Sequence, residues 1–417
     1  MIPEIKYLPI NWVDGMKISK THFVNFENAV IDSTRDVAAL GLTDFNFGLL
    51  PLGFSVSDSH SLDVNSERVE VYHCRAVCRN GARIEIINHN LDELKISMLD
   101  LMGGQALPQS SEWFVVIMVN PFQRNPIGDP DPTESPTRQP NTIPTYRVAL
   151  IPVEQINTVD FAGSAIPIAK IKGGIQGLQR VDNYIPPCMR VDSNKELINV
   201  YRKFKSKITG IEEHILPIIR KINEKRRRNQ SKPLAEDIFL VCQKLVETSS
   251  GSFDDFRMIY QQRPPIYMIA YFVKIARSIH TTMRFLSNKD SMLEYFRQYT
   301  NLQYGNFNEV INGLINMNYN HFDIRESIDK IDNFLNLIEN LFEQLKGLSY
   351  EQIAEYDPVR GTVYNRGNTT TRTTRTTTSA PPPPPRKKSG GSIVIRQGGA
   401  KGKGDTPPEG GGGWDIE

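Results

Sequence analysis

The sequence has few cysteines, no long apolar run and almost no excess of charge of one sign. Four cysteines in 417 residues are too few for a fold built on disulfides. No stretch approaches the ~18 consecutive apolar residues that a membrane-spanning helix needs, and the first residues lack the pattern of a signal peptide. A net charge of +2 predicts no strong field for nucleic acid or lipid. We therefore expect a cytoplasmic protein with free thiols, no nucleic-acid partner and no direct membrane insertion.

Motifs of catalysis and cofactor binding are also scarce. The segment HCRAVC, with His73, Cys74 and Cys78, resembles a zinc site at first sight. On a strand, however, side chains alternate between faces, so His73 faces away from both cysteines. The two sulfurs then lie about 13 Å apart, too far for one ion with bonds of ~2.3 Å. Since common catalytic motifs are missing too, we predict no enzyme, no catalytic residue, no cofactor and no metal.

Residues 1–190 show the alternation of apolar and polar residues that is typical of β-strands. The stretch 67–89 alternates on both sides of Asn80-Gly81, a pair that favours a hairpin turn. Further strands are predicted in SEWFVVIMVN and YRVALIPV. Between them, residues 121–144 contain seven prolines, which predicts an extended, exposed loop. Such an insert is either a tolerated surface insertion or a partner-binding arm.

Residues 191–350 have helical periodicity instead. Ser193 and Glu196 have the spacing of a capping box, and Pro217 is expected to kink the helix that follows. Apolar residues recur in two stretches with spacings that alternate between four and three. This seven-residue repeat is typical of helices that wind around one another, whereas a helix of an ordinary core has a period nearer 3.6. The predicted seam comprises Ile208, Ile211, Ile215, Ile324, Ile328, Ile331, Leu335, Ile338, Phe342 and Leu345.

Residues 351–417 are rich in threonine, proline and glycine and contain almost nothing to bury. Such a segment cannot offset the entropy lost on folding, so we expect a disordered tail. Two short apolar groups at its far end could bind a partner as a hook on a tether; a passive solubilising tail is the alternative. The predicted hook consists of Ile393, Val394, Ile395, Trp414 and Ile416.

The stretch NWVDGMKISKTHF lies near the N-terminus, where chains usually fray, yet it is rich in large side chains. It resembles the N-terminal signature of the TssK family, the trimeric baseplate adaptors of bacterial type VI secretion systems. Members of this family begin with a pattern like W-x-E-G-M-x-L-x-P-Q-H-F. Trp12, Gly15, Met16, His22 and Phe23 match it at the same spacing, while the family's proline and glutamine are replaced.

Three further segments match in the same order along the chain. DNYIPPCMRVDSNKEL, residues 182–197, is similar to the family's F-I-P-P segment before the first long helix. RPPIYMIAYFVKIA resembles its H-P-x-x-L-Y motif, with Arg263 in place of the histidine. YNHFDI, residues 319–324, is similar to Y-x-H-x-D-L. Each match is short, but their shared order makes the resemblance more specific.

The resemblance implies an α+β multidomain protein. It would have a sandwich-like or barrel-like β shell (1–190), a helical-bundle neck (191–350) whose coiled-coil seam forms a homotrimer, and a disordered tail (351–417). In this family the shell meets the baseplate proteins TssF and TssG, and a C-terminal head meets the membrane complex. No head-sized sequence follows Leu348. We therefore expect an adaptor without the head, docked at the inner face of the envelope on a protein of unknown identity.

For the five N-terminal residues the resemblance leaves two roles open: to pin the terminus to the shell, or to fill a pocket of a partner. Two other functions are also compatible with the sequence. The chain could be a phage-tail baseplate or receptor-binding protein, since such trimers share a β-shell plan. It could also bind nucleic acid through basic tail segments or through KRRR at 225–228, although positive charge near a helix C-terminus also has a purely structural use.

Overall fold

Among the described residues, the chain before Lys195 holds one α-helix and nine strands, and the chain from Lys195 onward holds seven α-helices and two short strands. The computed structural model describes residues 4–52, 60–65, 68–88, 91–97, 111–156, 163–174, 177–299, 304–348, 356–357 and 362–363. Within these residues the helices are α1 (Lys20–Leu40), α2 (Lys195–Arg227), α3 (Pro233–Ser250), α4 (Phe253–Met258), α5 (Pro265–Arg284), α6 (Lys289–Tyr299), α7 (Tyr304–Ile315) and α8 (Arg325–Gly347). The strands are β1 (Gly48–Leu49), β2 (His60–Val64), β3 (Arg68–Val77), β4 (Arg83–Ile87), β5 (Lys95–Ser97), β6 (Glu112–Ile127), β7 (Asn141–Pro152), β8 (Ala165–Gly174), β9 (Gly177–Arg180), β10 (Tyr356–Asp357) and β11 (Thr362–Val363).

The first sheet is arranged around β3, which pairs antiparallel with β1 and β2 on one edge and with β4 and β5 on the other. The predicted hairpin at Asn80-Gly81 is confirmed, since it joins β3 to β4. Gly81 has a φ of +84°, and a Cβ there would lie 2.1 Å from the carbonyl oxygen of Arg35 in α1. Glycine is therefore required both by the turn and by the close approach of α1.

The second sheet has the strand order β7-β6-β8-β9. Val115 and Ile117 of β6 belong to the core that includes the first sheet, whereas Phe114 and Val116 belong to a smaller cluster on the opposite face. A strand that is buried on both faces reads as a continuous apolar run rather than an alternating one. This is why SEWFVVIMVN lacks the alternation of the first hairpin.

The proline-rich insert differs from the predicted loop. β6 continues to Ile127 and β7 begins at Asn141, so the loop spans residues 128–140 and the remainder is a two-stranded arm. β8 pairs with β6 only as far as Met118. Beyond that residue, the pairing seen in the described part of the chain is with β7 alone. The other edge of β6 has no partner strand to receive an N–H hydrogen bond, so prolines are tolerated along it.

The predicted helical region is confirmed, with one local correction at its start. Asn194 Oδ1 accepts hydrogen bonds from the backbone N–H groups of Glu196 and Leu197 at 2.8 and 3.2 Å. Asn194, rather than the predicted Ser193, is therefore the N-cap of α2. The helix also continues through Pro217 to its end at Arg227.

The two apolar stripes lie inside a single chain. α2 packs along α8, and Lys203 reaches across to Asp332 at 2.9 Å. Side chains that are only 0–3% exposed in one chain have no area to bury against a second one. Their burial within one chain corrects the assignment of these residues to a seam between copies. Homotrimer formation stays a prediction and would have to use other side chains. The corrected residues are Ile208, Ile211, Ile215, Ile324, Ile328, Ile331, Leu335, Ile338, Phe342 and Leu345.

His321, in one of the segments that carry the resemblance, connects the helices to the strands. Its Nε2 lies 2.8 Å from the carbonyl oxygen of Phe47, and its Nδ1 lies 2.7 Å from the hydroxyl of Tyr319. A carbonyl can only accept, so Nε2 donates and Nδ1 accepts from the tyrosine. Burial lowers the pKa of His321 to about 4, so the ring is neutral at pH 7.

Two further contacts reinforce the same junction. The hydroxyl of Tyr184 donates to the carbonyl oxygen of Phe322 at 2.6 Å, and Lys170 Nζ lies 2.8 Å from Asp323 Oδ2. The segments 182–197 and 319–324, which are far apart in the sequence, therefore meet in the structure.

We predict that the free energy of unfolding falls as the pH drops from 6.5 to 4. In that window the unfolded chain binds a proton on His321 but the folded chain does not, so acid favours unfolding. The contribution is fully present above pH 6.5 and is on the order of 3 kcal/mol. Denaturant titrations at pH 7 and pH 5 should show a weaker pH dependence for His321→Gln than for the wild type. An equal dependence in both would contradict this role.

Ile331→Ala should lower the free energy of unfolding by about 2–5 kcal/mol, because it opens a cavity between α2 and α8. The loss should not depend on protein concentration, since the contact is made within one chain. Leu216→Ala, at an exposed position of α2, is the control and should change stability by less than about 0.5 kcal/mol. Destabilisation by Ile331→Ala that grows on dilution would instead place this residue between copies.

Candidate partner-binding surface

Helix α1 turns its apolar side chains outward. Phe23, Phe26, Val30, Val37 and Leu40 are 47–70% exposed, and they recur along the helix at spacings of three, four, seven and three. With ~3.6 residues per turn, these positions lie on one side of the helix. A helix on the surface of a globular protein normally buries such a stripe. In α1 the stripe faces solvent instead, which is the reverse of the usual orientation.

The side of α1 that faces the protein is largely polar. Asn28, Asp32 and Arg35 are buried there. Arg35 donates from Nε and Nη2 to Asp32 Oδ1 at 3.1 and 2.6 Å, and from Nη1 to the carbonyl oxygen of Asn80 at 3.2 Å. Arg124 of the β6–β7 arm donates to Asn28 Oδ1 at 2.8 Å. Polar contacts to the first hairpin and to the arm thus hold the helix in place.

Asp32 also fixes the chain that precedes α1. Its Oδ2 accepts hydrogen bonds from the backbone N–H groups of Lys6 and Tyr7 at 2.5 and 3.0 Å. The ring of Tyr7 packs against Phe122 of the arm, with 4.6 Å between centroids. Burial raises the pKa of Asp32, but hydrogen bonds from Arg35 and from the two backbone N–H groups outweigh it, and the net pKa is lowered. The carboxylate is therefore charged at neutral pH.

Trp12 and Phe23, two of the residues predicted to bind a partner, are exposed. The ring of Trp12 lies 6.2 Å from that of His22. Exposure of both large side chains favours contact with a partner over the alternative, that they pin the terminus by burial.

The other predicted residues shape the backbone between Trp12 and α1. Gly15 has a φ of +77° in a turn that is closed by a hydrogen bond from Met16 N–H to the carbonyl oxygen of Val13 at 3.3 Å. A Cβ at Gly15 would meet open space, so the turn conformation rather than close packing requires glycine. His22 Nδ1 accepts a hydrogen bond from the backbone N–H of Ser19 at 3.1 Å at the start of α1.

Reasoning from the sequence missed most of this surface. More than half of the large apolar side chains that are exposed in the described part of the chain lie within residues 5–40. Such a concentration is more typical of interaction sites than of ordinary surface. The helical spacing from Phe23 to Leu40 was the signal that could have revealed it. We call these side chains the N-terminal apolar surface: Ile5, Leu8, Trp12, Val13, Ile18, Phe23, Phe26, Val30, Val37 and Leu40.

The described residues give little support to other kinds of site. Cys74, Cys78, Cys188 and Cys242 are free and buried, and burial raises the pKa of each thiol, which disfavours the reactive thiolate. Across the described ranges, no three His, Cys, Asp or Glu side chains come together as metal ligands would, and no helix there is long and apolar enough to span a bilayer. The predicted tail hook lies outside the described residues: Ile393, Val394, Ile395, Trp414 and Ile416.

Asp32→Asn should loosen residues 5–40 while the rest of the fold persists. The substitution leaves the Arg35 guanidinium buried without its counter-charge, which typically costs about 3–5 kcal/mol. Hydrogen exchange should accelerate across residues 5–40 and stay slow in β6 and α8. Asp44→Asn is the control, because the Asp44–Arg79 pair is exposed. Unchanged exchange in α1 would show that the pair does not hold it.

No model of a known family matches this chain, and no curated protein sequence does. Solved structures with a similar fold include a crystal structure of TssK, with 12% identity, a TM-score of 0.47, and coverage of 78% of this chain and 68% of that one. A TssK-TssF-TssG baseplate subcomplex solved by cryo-electron microscopy matches with 13% identity, a TM-score of 0.41 and coverage of 81% and 100%.

A baseplate complex from the type VI secretion system matches with 14% identity, a TM-score of 0.43 and coverage of 81% and 100%. At these identities and scores, the likeness assigns no function by itself. Solved structures to which this chain is similar thus include those of TssK and of type VI secretion baseplate complexes.

Proposed function

We propose that this chain is a non-enzymatic adaptor of a type VI secretion baseplate that binds its neighbours through the N-terminal apolar surface. The observation that carries the proposal is the reversed orientation of α1, whose apolar stripe faces solvent while a buried ion pair holds its polar side. Exposed apolar area costs roughly 25 cal/mol per Å² relative to its burial. A partner that covers the stripe would recover this free energy.

The stretch that resembles the TssK family forms part of this same surface. Trp12 and Phe23 are exposed on it, and Gly15 and His22 shape the turn and the start of the helix that present them. Residues that carry a family signature and lie on the outside, rather than in the core, support a role in contacting other proteins.

The expected partners are TssF and TssG. One of the structurally similar chains comes from a complex of TssK with these two proteins, and the resemblance assigns the contact to the N-terminal part of the chain. The proposal places the protein in the cytoplasm, on the inner face of the envelope, where an unidentified envelope protein is its second partner.

Assembly as a homotrimer is part of the same proposal. Since the apolar stripes of α2 and α8 are buried within one chain, a trimer would draw on exposed side chains of the helices. Leu240 on α3 is an apolar example.

The double variant Trp12→Ala/Phe23→Ala should bind TssF and TssG about tenfold more weakly or worse, because aromatic side chains commonly dominate the energy of an interface. Co-purification and a titration of the purified complex would measure the loss. Its circular dichroism should match that of the wild type, since both side chains are exposed.

Ile87→Ala/Met258→Ala is the matched control, because both residues are apolar and exposed but lie outside the N-terminal surface. Light scattering should give the mass of three copies for the wild type and both double variants. Unchanged binding by the Trp12/Phe23 variant would remove the surface from the proposal, and a monomeric mass for the wild type would remove the trimer.

A further inference from the structure

An open groove of about 770 Å³ lies between α3, α5 and the irregular segment at residues 317–319. One face of α5 forms its floor, with lining residues at 266, 270, 273, 277 and 281 that recur every three or four positions. The lining continues to Phe285, just beyond the helix. From Ile266 to Phe285 the floor extends about 28 Å at ~1.5 Å per residue.

The floor of the groove is apolar from Ile266 to Val273 and again at Met317 and Phe285, with the hydroxyl residues Ser278, Thr281 and Thr282 between, and it is open to solvent. Ile266, Val273 and Met317 are partly buried, whereas Ala270 and Phe285 are exposed. Among the described residues from Lys195 onward, Phe285 is the most exposed large apolar side chain at 65%, ahead of Met258 on α4 at 61%. A groove of this length that is apolar toward both ends is suited to the apolar face of another helix.

The rim of the groove is positively charged. Lys244 of α3 and Lys274 and Arg277 of α5 line it. Lys274 donates to the hydroxyl of Ser252 at 2.9 Å and Arg277 donates to the carbonyl oxygen of Ile315 at 3.0 Å. These partners are neutral, and within the part of the chain that the structure describes neither cation has an acidic partner.

Lys244 is compensated only weakly, by Glu247 at 3.6 Å in an exposed pair. Burial lowers the pKa of the nearby His280, and the positive charges of Arg284, Lys289 and Arg277 lower it further. The positive field therefore extends beyond the groove itself toward the end of α5.

We propose that this groove binds an acidic amphipathic helix of a partner protein. The apolar face of that helix would lie on Val273, Met317 and Phe285, and its carboxylates would pair with Lys244, Lys274 and Arg277. An apolar floor beneath uncompensated cations fits this occupant, because a basic helix would be repelled and a purely polar one would leave the floor uncovered. The inference uses residues outside the N-terminal apolar surface and does not depend on the proposed function.

A labelled synthetic helix of about 20 residues, long enough to follow the floor, is a suitable probe. It carries leucine at positions i, i+3, i+4 and i+7 and glutamate beside them, and a second peptide has lysine in place of every glutamate. Fluorescence anisotropy with the full chain should show that the acidic peptide binds about tenfold more tightly than the basic one. Added salt should weaken its binding.

Lys244→Glu/Lys274→Glu should weaken binding of the acidic peptide about tenfold or more, and Val273→Glu should abolish it by placing a charge on the floor. Arg202→Glu/Arg220→Glu is the control, since it reverses two exposed charges on α2 instead. Circular dichroism of each variant should match the wild type, and the control should bind as the wild type does.

Four results would overturn the inference. They are equal binding of the two peptides, an unchanged affinity of Val273→Glu, an equal loss in the control, and displacement of the peptide by a short DNA duplex. If the wild type binds no peptide and the Lys244/Lys274 variant changes only the mass measured by light scattering, the groove is an interface between copies.

Discussion

The buried pair of Asp32 and Arg35 determines how the N-terminal part of the molecule is arranged. The backbone N–H groups of Lys6 and Tyr7 and the carbonyl oxygen of Asn80 form hydrogen bonds with this pair. These hydrogen bonds exist only while the polar side of α1 faces the protein. Asp32 and Arg35 both lie on α1, so rotating the helix to bury its apolar stripe would carry the pair away together and break its hydrogen bonds to the backbone of Lys6, Tyr7 and Asn80. The apolar side chains therefore face solvent as a consequence of the electrostatics.

Three separate parts of the chain meet at this helix. Gly81 lets the first hairpin approach the backbone of α1, Arg124 reaches Asn28 from the arm, and Tyr7 packs on Phe122. The proline-rich insert thus has a structural role, because its strands form the support on which the N-terminal segment lies. A surface helix can present an apolar stripe as a rigid shape only with support of this kind.

The sequence predicted those elements whose pattern has one structural meaning. Asn80-Gly81 between alternating residues gives a hairpin, and the stripes that contain Ile208 and Ile331 give buried helix faces. The same spacing cannot tell a partner helix in the same chain from one in another copy, so the seam was misassigned. The exposed apolar stripe from Phe23 to Leu40 was missed because apolar periodicity alone does not reveal which face of a helix a buried ion pair will hold inward. The prolines at 121 and 144 suggested a loop, because proline is tolerated in a strand only along an open edge. Such an edge is visible only in the folded sheet.

The continuous apolar core has a mechanical consequence. It runs from Val69 in the first sheet to Leu345 in α8. The segment that joins the sheets to α2 also forms backbone hydrogen bonds to both parts. The N–H of Met189 donates to the carbonyl oxygen of Leu49, and the N–H of Val191 donates to that of Arg263. A pull on the helices is therefore transmitted to the sheets through close-packed side chains, which compress and shear very little. The part of the chain that carries the N-terminal apolar surface and the groove is therefore one packed body rather than two bodies joined by a flexible hinge.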